Sequence, residues 1–285
     1  MTTFGNWTLE LKNRAFVVER PLIMGIINAT PDSFYSASRA LVPDLVAQHA
    51  RQMAADGVDI IDVGALSTRP GADLVSVRDE MKRLKLAVNA VKSVSDTVLT
   101  SVDTFRADVA CFAVEELGVD IVNDISGGTL DNLMFPTVAR LGVPYIMMHM
   151  RGTPATMQQM TDYGGTDVVD AVIGQLQDGI NRFRETGGGQ VIVDPGLGFA
   201  KTVEQNYCLL NSLDRLVALG HPVLVGASRK SMIYKVLDCT PEDALNGTTV
   251  VNTIALVAGA HILRVHDVRA AVETRTLVMK TLNCT

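Results

Sequence analysis

Eight short apolar runs in this 285-residue chain stop abruptly on residues that can hydrogen-bond, ionise or bind an anion. In order, the endings are Asn28 to Phe34, Asp62 to Gly71, Ser101 to Thr104, Val122 to Gly128, Met147 to Met150, Asp194 to Phe199, Ser228 to Ser231, and Arg264 to His266. Their chemistry falls into two sets. Asp103, Asn123, Asp194 and Lys230 are compact groups able to hold a flat, nitrogen-rich heterocycle by its donor and acceptor edges, the carboxylates matching a guanidine-like N–H/N–H2 edge. Ile125, Met148 and Phe199 supply the apolar walls that such a ring needs. Asn28, Thr68, Arg69, Arg264 and His266 form the second set, in which arginine forks suit phosphate oxygens bidentately. Arg69 stands between Thr68 and Pro70-Gly71, in a loop that can swing over a ligand. Ser228-Arg229-Lys230-Ser231 precedes a short helical segment, Met232 to Val236, whose N-terminus and serine hydroxyl offer a carboxylate or phosphate site.

Each of these residues has a plainer reading. One polar residue at a strand end is ordinarily a solvated turn or a helix cap, and Asp103 and Asp194 could do no more than that. His266 could cap the last helix, although Asp267 is the better N-cap candidate. His149 reads as a satisfied structural histidine, and His49 and His221 as surface or loop residues. Eight polar endings out of eight argue against coincidence. No nucleophilic triad, zinc cluster or phosphate-binding glycine loop occurs in the sequence.

The elements that must position these residues follow from the same runs. Leu22 to Asn28, Asp59 to Gly64, Leu99 to Asp103, Ile121 to Ile125, Tyr145 to His149, Val191 to Asp194, Val223 to Gly226 and Ile262 to His266 read as strands buried on both faces. The spacing leaves room for a crossover helix each time, which predicts a (β/α)8 barrel, and barrels of this kind often hold phosphate near their last strands. The rival, an open doubly wound sheet, usually carries a glycine-rich fingerprint after its first strand, and none follows Asn28. Val46, Ala50, Met53 and Ala54 make a helical stripe between Asp44 and Gly57. Thr202 to Gln205 fits a capping box opening a helix with Val203, Tyr207, Leu210, Leu213 and Val217 on one face, ended by Gly220. Thr240-Pro241-Glu242-Asp243 offers another helix start. The first 20 residues predict a short hairpin or plug across the bottom of the barrel. The chain reads as a single domain, 1–285, with the barrel proper at about 21–283.

Hydrophobic residues make up 47% of the chain and charged residues 20%, enough apolar material for one large core. The net charge of −6 argues against nucleic-acid or acidic-membrane partners, which need an extended basic surface, but leaves room for a small anion. Cys111, Cys208, Cys239 and Cys284 show no metal-binding spacing, and no signal peptide or membrane span is apparent. The expectation is a soluble cytoplasmic protein.

Taken together, these segments closely resemble the dihydropteroate synthases of folate biosynthesis. The resemblance runs from Pro21 to about Thr274 and rests on Asn28 to Phe34, Ser67 to Gly71, Val102 to Thr104, Asn123 to Ile125, Met148 to Met150, Asp194 to Phe199, Ser228 to Ser231 and Arg264 to Val268. It implies condensation of a dihydropterin bearing a CH2-diphosphate with 4-aminobenzoate, giving 7,8-dihydropteroate and diphosphate. It also implies pterin binding by Asp103, Asn123, Asp194 and Lys230, with Ile125, Met148 and Phe199 around the ring and Arg264 over its face. Asn28, Thr68, Arg69, Arg264 and His266 would take the diphosphate, with Mg2+ near Asn28. Ser231, Pro70 and Phe199 would receive the aminobenzoate, and the loop Pro31, Asp32, Ser33, Phe34 would close over the site. The resemblance further implies a homodimer and a catalytic set of Arg69, Asp103, Lys230, Arg264 and His266. The chain departs from the family pattern at Ala65-Leu66, where Gly-Glu is frequent, at Phe34 to Arg39, and at Ala200, where glycine is frequent. Two other readings stand beside the synthase: a pterin-dependent methyltransferase sharing the barrel, and a catalytically silent pterin-binding paralogue.

Overall fold

The computed structural model describes residues 4–29, 42–66 and 75–284. A hairpin of β1 (Trp7–Leu11) and β2 (Arg14–Val18) precedes eight parallel strands. These are β3 (Leu22–Asn28), β4 (Ile60–Gly64), β5 (Leu99–Asp103), β6 (Ile121–Asp124), β7 (Tyr145–Met148), β8 (Val191–Asp194), β9 (Leu224–Val225) and β10 (Ile262–Val265). They run in the order β8-β7-β6-β5-β4-β3-β10-β9, and a parallel bridge between Val193 and Val223 joins the two ends. The sheet is therefore closed into the (β/α)8 barrel that the sequence pattern predicts. Around it lie α1 (Val42–Ala55), α2 (Val77–Lys92), α3 (Ala107–Glu115), α4 (Met134–Leu141), α5 (Val168–Glu185), α6 (Val203–Asn211), α7 (Leu213–Val217), α8 (Ser231–Tyr234), α9 (Leu245–Val257) and α10 (Val268–Leu282).

Two separate cores follow from the period of two along each strand. Outward residues such as Ile23, Ile61, Val102, Val122, Tyr145, Val193 and Leu263 pack against the helices. Inward residues at the strand starts, including Met24, Ile60, Leu99, Ile121, Ile146, Ile192, Leu224 and Ile262, fill the lower barrel. Leu9, Leu11 and Val18 of the hairpin seal that lower core from below, so the N-terminal segment is the predicted plug. Gln190 stitches it on, accepting from Glu10 N (3.1 Å) and donating to Thr8 O (2.6 Å).

Three helix expectations need adjustment. The capping box at Thr202 and Gln205 forms, but its helix breaks at Ser212, and the following turn buries Leu216 in place of Val217. The helix expected from Thr240 begins one turn later, at Leu245. The reason lies outside the helix: Arg229 donates to the carbonyls of Pro241 (2.9 Å) and Glu242 (2.8 Å), drawing that turn toward its guanidinium so that regular helix starts only after it. Asp267 occupies the N-cap position of α10 without capping it, because its carboxylate faces Arg229 Nε (2.8 Å) and Nη2 (2.9 Å).

Candidate active site

The upper barrel reverses the character of the lower one. On the face that carries Ile60, Leu99, Ile121, Ile192 and Ile262 inward, the next inward positions are Asp62, Ser101, Asn123, Asp194 and Arg264. Asp103 follows Ser101, and Met148 follows Ile146. Parity alone separates neighbours: Asn123 points into the barrel, whereas Asp124 points out and serves the loop behind β6. Asp124 accepts from Ser126 N, Ser126 Oγ, Gly128 N and Tyr145 Oη at 2.6–2.8 Å.

Arg264 organises the floor of the mouth. Its Nε donates to Asp62 Oδ2 and its Nη2 to Asp103 Oδ2, both at 2.7 Å. Asn123 Nδ2 donates to the same Asp62 oxygen at 2.9 Å. Two glycines lie directly against these groups. A Cβ at Gly64 would stand 3.5 Å from both Asn28 Oδ1 and Asp103 Cβ, so those two residues converge there. A Cβ at Gly226 would lie 3.7 Å from Arg264 Cβ and 3.9 Å from Lys230 Nζ. Lys230 donates to Leu197 O (2.5 Å) and lies 4.7 Å from the centre of the Phe199 ring. Asp194 Oδ1 accepts from Gly196 N at 2.7 Å. Beside these groups Ile125, Met148, Met150, Met157 and Ala200 form a small apolar cluster, with Phe105, Leu130 and Phe199 packed against it.

The structure thus brings Asn28, Asp103, Asn123, Asp194, Lys230 and Arg264 to one rim with the apolar wall of Ile125, Met148 and Phe199. Ser231, half-buried, opens α8 directly after Lys230. His266 stands at the end of β10, its Nδ1 3.0 Å from Ser228 Oγ, and that oxygen also accepts from His266 N at 3.2 Å. Thr68, Arg69 and Pro70, together with Pro31, Asp32, Ser33 and Phe34, lie outside the described residues. The strand-end reading did not assign Asp62 or Ser101. Both stand two residues before an inward position, Gly64 or Asp103, and strand parity is the signal that finds them.

Burial sets the electrostatics. It pushes Asp103 up to about 7, with Arg264 opposing and Asp62 adding to the rise, because two carboxylates share one guanidinium. Burial likewise raises Asp194 above the usual carboxylate range against the pull of Lys230. It draws Lys230 down to about 8, with Asp194 opposing. Burial works against the charge on Arg264 too, but Asp62 and Asp103 outweigh it and hold its pKa above the ordinary value. His266 reaches solvent at the end of β10, yet the protein packed around its ring and the nearby Arg264 bring its pKa down, so it enters the site as a neutral hydrogen-bonding ring rather than a cation.

Such a mouth, with carboxylates, an amide and a lysine facing an apolar wall at the C-terminal ends of barrel strands, is the site of a barrel enzyme that takes a flat nitrogen heterocycle. The family model described as pterin binding enzyme matches residues 24–266. The dihydropteroate synthase of Synechocystis is 42% identical over 255 residues, covering 88% of this chain and 87% of that protein. The crystal structure of dihydropteroate synthase from Thermus thermophilus in complex with 4-aminobenzoate superimposes with a TM-score of 0.84 at 39% identity, covering 96% of this chain and 99% of the other. The synthase of Coxiella burnetii in complex with pteroic acid gives 0.86 at 35% identity, covering 98% and 100%. The chain belongs to the dihydropteroate synthase family.

The floor makes a direct prediction. Asp62→Ala removes one acceptor from Arg264 and one from Asn123 while leaving Arg264 its bond to Asp103. Stability in equilibrium urea unfolding should fall by about 1–3 kcal/mol, the cost of stranding buried polar groups, and Asp62→Asn should lose less. A loss below about 0.5 kcal/mol for the alanine variant, the scatter of ordinary surface substitutions, would contradict the assigned role.

Proposed function

We propose that this protein condenses (7,8-dihydropterin-6-yl)methyl diphosphate with 4-aminobenzoate, giving 7,8-dihydropteroate and diphosphate for tetrahydrofolate biosynthesis. The observation that carries this reading is the convergence of Asp103, Asn123, Asp194 and Lys230 beside Ile125, Met148 and Phe199 in a chain of this family. The carboxylates accept from the guanidine-like edge of the pterin, Asn123 and Lys230 serve its remaining polar atoms, and the apolar residues flank the ring. Asn28, Thr68, Arg69, Arg264 and His266 face the diphosphate. Ser231, Pro70 and Phe199 receive the aminobenzoate, and Pro31 to Phe34 close the site.

The reaction is a displacement at the pterin methylene. Its C–O bond breaks with the electron pair leaving on diphosphate, the amine nitrogen forms the new C–N bond, and the nitrogen then sheds a proton. The pterin ring delocalises positive charge in a loose transition state, and the carboxylate of Asp103 favours that charge. The neutral aromatic amine needs no strong base to attack. Arg69 is the cation assigned to the departing oxygens. Arg264 is largely engaged by Asp62 and Asp103, and His266 contributes as a hydrogen-bonding ring.

Among the described residues no cluster of three or more His, Cys, Asp and Glu is able to hold a metal ion. Mg2+ needs no such cage when a substrate brings phosphate oxygens, and Asn28 Oδ1 is a strand-end oxygen suited to complete its shell. When bound, Mg2+ would neutralise charge on the diphosphate. No helix among the described residues is long and apolar enough to cross a membrane. Unpaired Cys111, Cys208, Cys239 and Cys284 fit a reducing cytoplasm. The apolar residues Val250, Ile254, Val257 and Leu277 on α9 and α10 are exposed, Val257 and Leu277 lining a groove of about 390 Å3, and this face suits a second copy of the chain in a homodimer.

Purified protein incubated with the dihydropterin diphosphate, Mg2+ and 4-aminobenzoate should release dihydropteroate and diphosphate. Tight pterin binding without diphosphate release would favour the silent paralogue, and methyl transfer from a methylated pterin the methyltransferase. Pterin affinity should also follow Asp103. Because its pKa is raised to about 7, below that pH the carboxyl carries a proton where the ligand needs an acceptor. Calorimetry should therefore show affinity falling about tenfold for each pH unit well below that pKa. Asp103→Asn should weaken binding and flatten this dependence. Sedimentation should give a dimer mass, and the double variant Val250→Glu/Leu277→Glu a monomer; an unaltered dimer would place the interface elsewhere.

A further inference from the structure

The turn that carries Phe199, between β8 and α6, has one backbone bond of its own, from Phe199 N to Gly196 O (3.0 Å), and is otherwise held by side chains. Gly196, Gly198 and Ala200 alternate at φ of 66°, 84° and 51°, the last a left-handed conformation that an L residue resists. Five successive carbonyls each meet a side-chain donor. Lys201 Nζ donates to Gly196 O (3.0 Å) and Phe199 O (2.9 Å), Lys230 to Leu197 O, Gln158 to Gly198 O (3.2 Å) and Tyr163 to Ala200 O (3.0 Å). The third donor of Lys201 goes to His149 Nδ1 at 2.8 Å. Burial brings Lys201 down to about 7 with Asp194 opposing, and in its protonated form all three N–H bonds are used. Lys201 is 4% exposed, and His149, 1% exposed, stands directly after the pocket-wall residue Met148. Burial keeps His149 neutral, so Nδ1 accepts and the proton is assigned to Nε2, which has no partner among the described residues.

Nothing in the proposed chemistry uses Lys201. A buried lysine that ties both ends of the Gly196–Phe199 turn to the end of β7 fixes where the Phe199 ring lies relative to Met148 and Lys230. We propose that Lys201 is a positioning residue that sets the seat of Phe199 against a strained turn, and so governs how tightly the aromatic amine is held. The amine part rests on the reaction proposed above; the positioning part does not.

The test uses the full-length protein and two readouts. Labelling with 4-fluorophenylalanine gives eight 19F resonances, one per phenylalanine, with Phe199 assigned from Phe199→Tyr. In Lys201→Met the Phe199 resonance should shift or broaden while those of Phe16 and Phe183 stay in place. An unmoved Phe199 resonance overturns the inference whether or not the protein is active. In steady-state assays Lys201→Met should raise KM for 4-aminobenzoate at least fivefold more than KM for the dihydropterin diphosphate. Adding Ala200→Gly relieves the left-handed residue, so it should recover much of any lost urea midpoint while KM for the amine stays high. Recovery of midpoint and KM together would reduce Lys201 to a general fold stabiliser and overturn the specificity claim. A displaced Phe199 resonance in Lys201→Met, alongside a parent protein that makes no dihydropteroate, would sink the reaction reading and leave the positioning role standing.

Discussion

Two carboxylates sharing one guanidinium at the centre of the barrel are the constraint on which the site depends. Asp62 is fully buried and Asp103 largely so, and water cannot dissipate their charge. Burial lifts Asp103 to about 7, with Arg264 opposing and the charge of Asp62 adding to the rise, so Asp103 is poised to take up a proton near neutral pH rather than standing as a permanent anion. The triad is tolerated because it sits above a closed apolar layer. Ile60, Leu99, Ile121, Ile146, Ile192 and Ile262, sealed beneath by Leu9, Leu11 and Val18, supply the stabilisation that the polar upper layer does not.

Around that centre, side chains reach across sequence to hold strand-end backbone in place. Glu80, wholly buried in α2, accepts from Thr104 Oγ1 (2.8 Å) and from Arg106 (2.6 Å), fixing the turn that follows Asp103. Arg106 also donates to Val75 O at 3.0 Å. Arg229 stands at φ 55° and joins Asp267 to the Pro241–Glu242 turn, which locks together the loops carrying Lys230 and His266. These clamps allow short strands to present groups from distant parts of the sequence at fixed separations.

Much of this was legible in the sequence, for a definite reason. A strand buried on both faces must be continuously apolar, so its polar ending marks both the strand terminus and the rim of the barrel. That rule located Asp103, Asn123, Asp194, Lys230 and Arg264 without knowledge of packing. It missed Asp62 because a carboxylate inside a strand, followed by Val63 and Gly64, reads like the start of the loop, and only the register against Ser101 places it under the site. Pairings over long separations were also invisible. Asp267 looks like a helix cap and Thr240 like a helix start until Arg229, 38 residues before Asp267, takes the carboxylate of one and the carbonyls beside the other. Local signals compete with tertiary partners there, and the charged partner wins.

The placement of charge also bears on the proposed chemistry. A protein with net charge −6 must bring cations to a departing diphosphate, yet the arginines that the structure places around the mouth are already engaged. Arg264 serves Asp62 and Asp103, Arg229 serves Asp267, and Arg106 serves Glu80. Lys201 is enclosed by carbonyls and His149, and Lys230 faces Leu197 and Phe199. The barrel therefore builds a slot suited to the pterin but commits its charges to rigidity. In the proposed displacement, stabilisation of the leaving group would then fall to Arg69 and to hydrogen bonds from groups such as His266, with Mg2+, if bound near Asn28, supplying further positive charge. On that division Arg264 and Arg229 spend their charge on neighbouring carboxylates, which limits how firmly they would hold diphosphate and leaves the product free to depart.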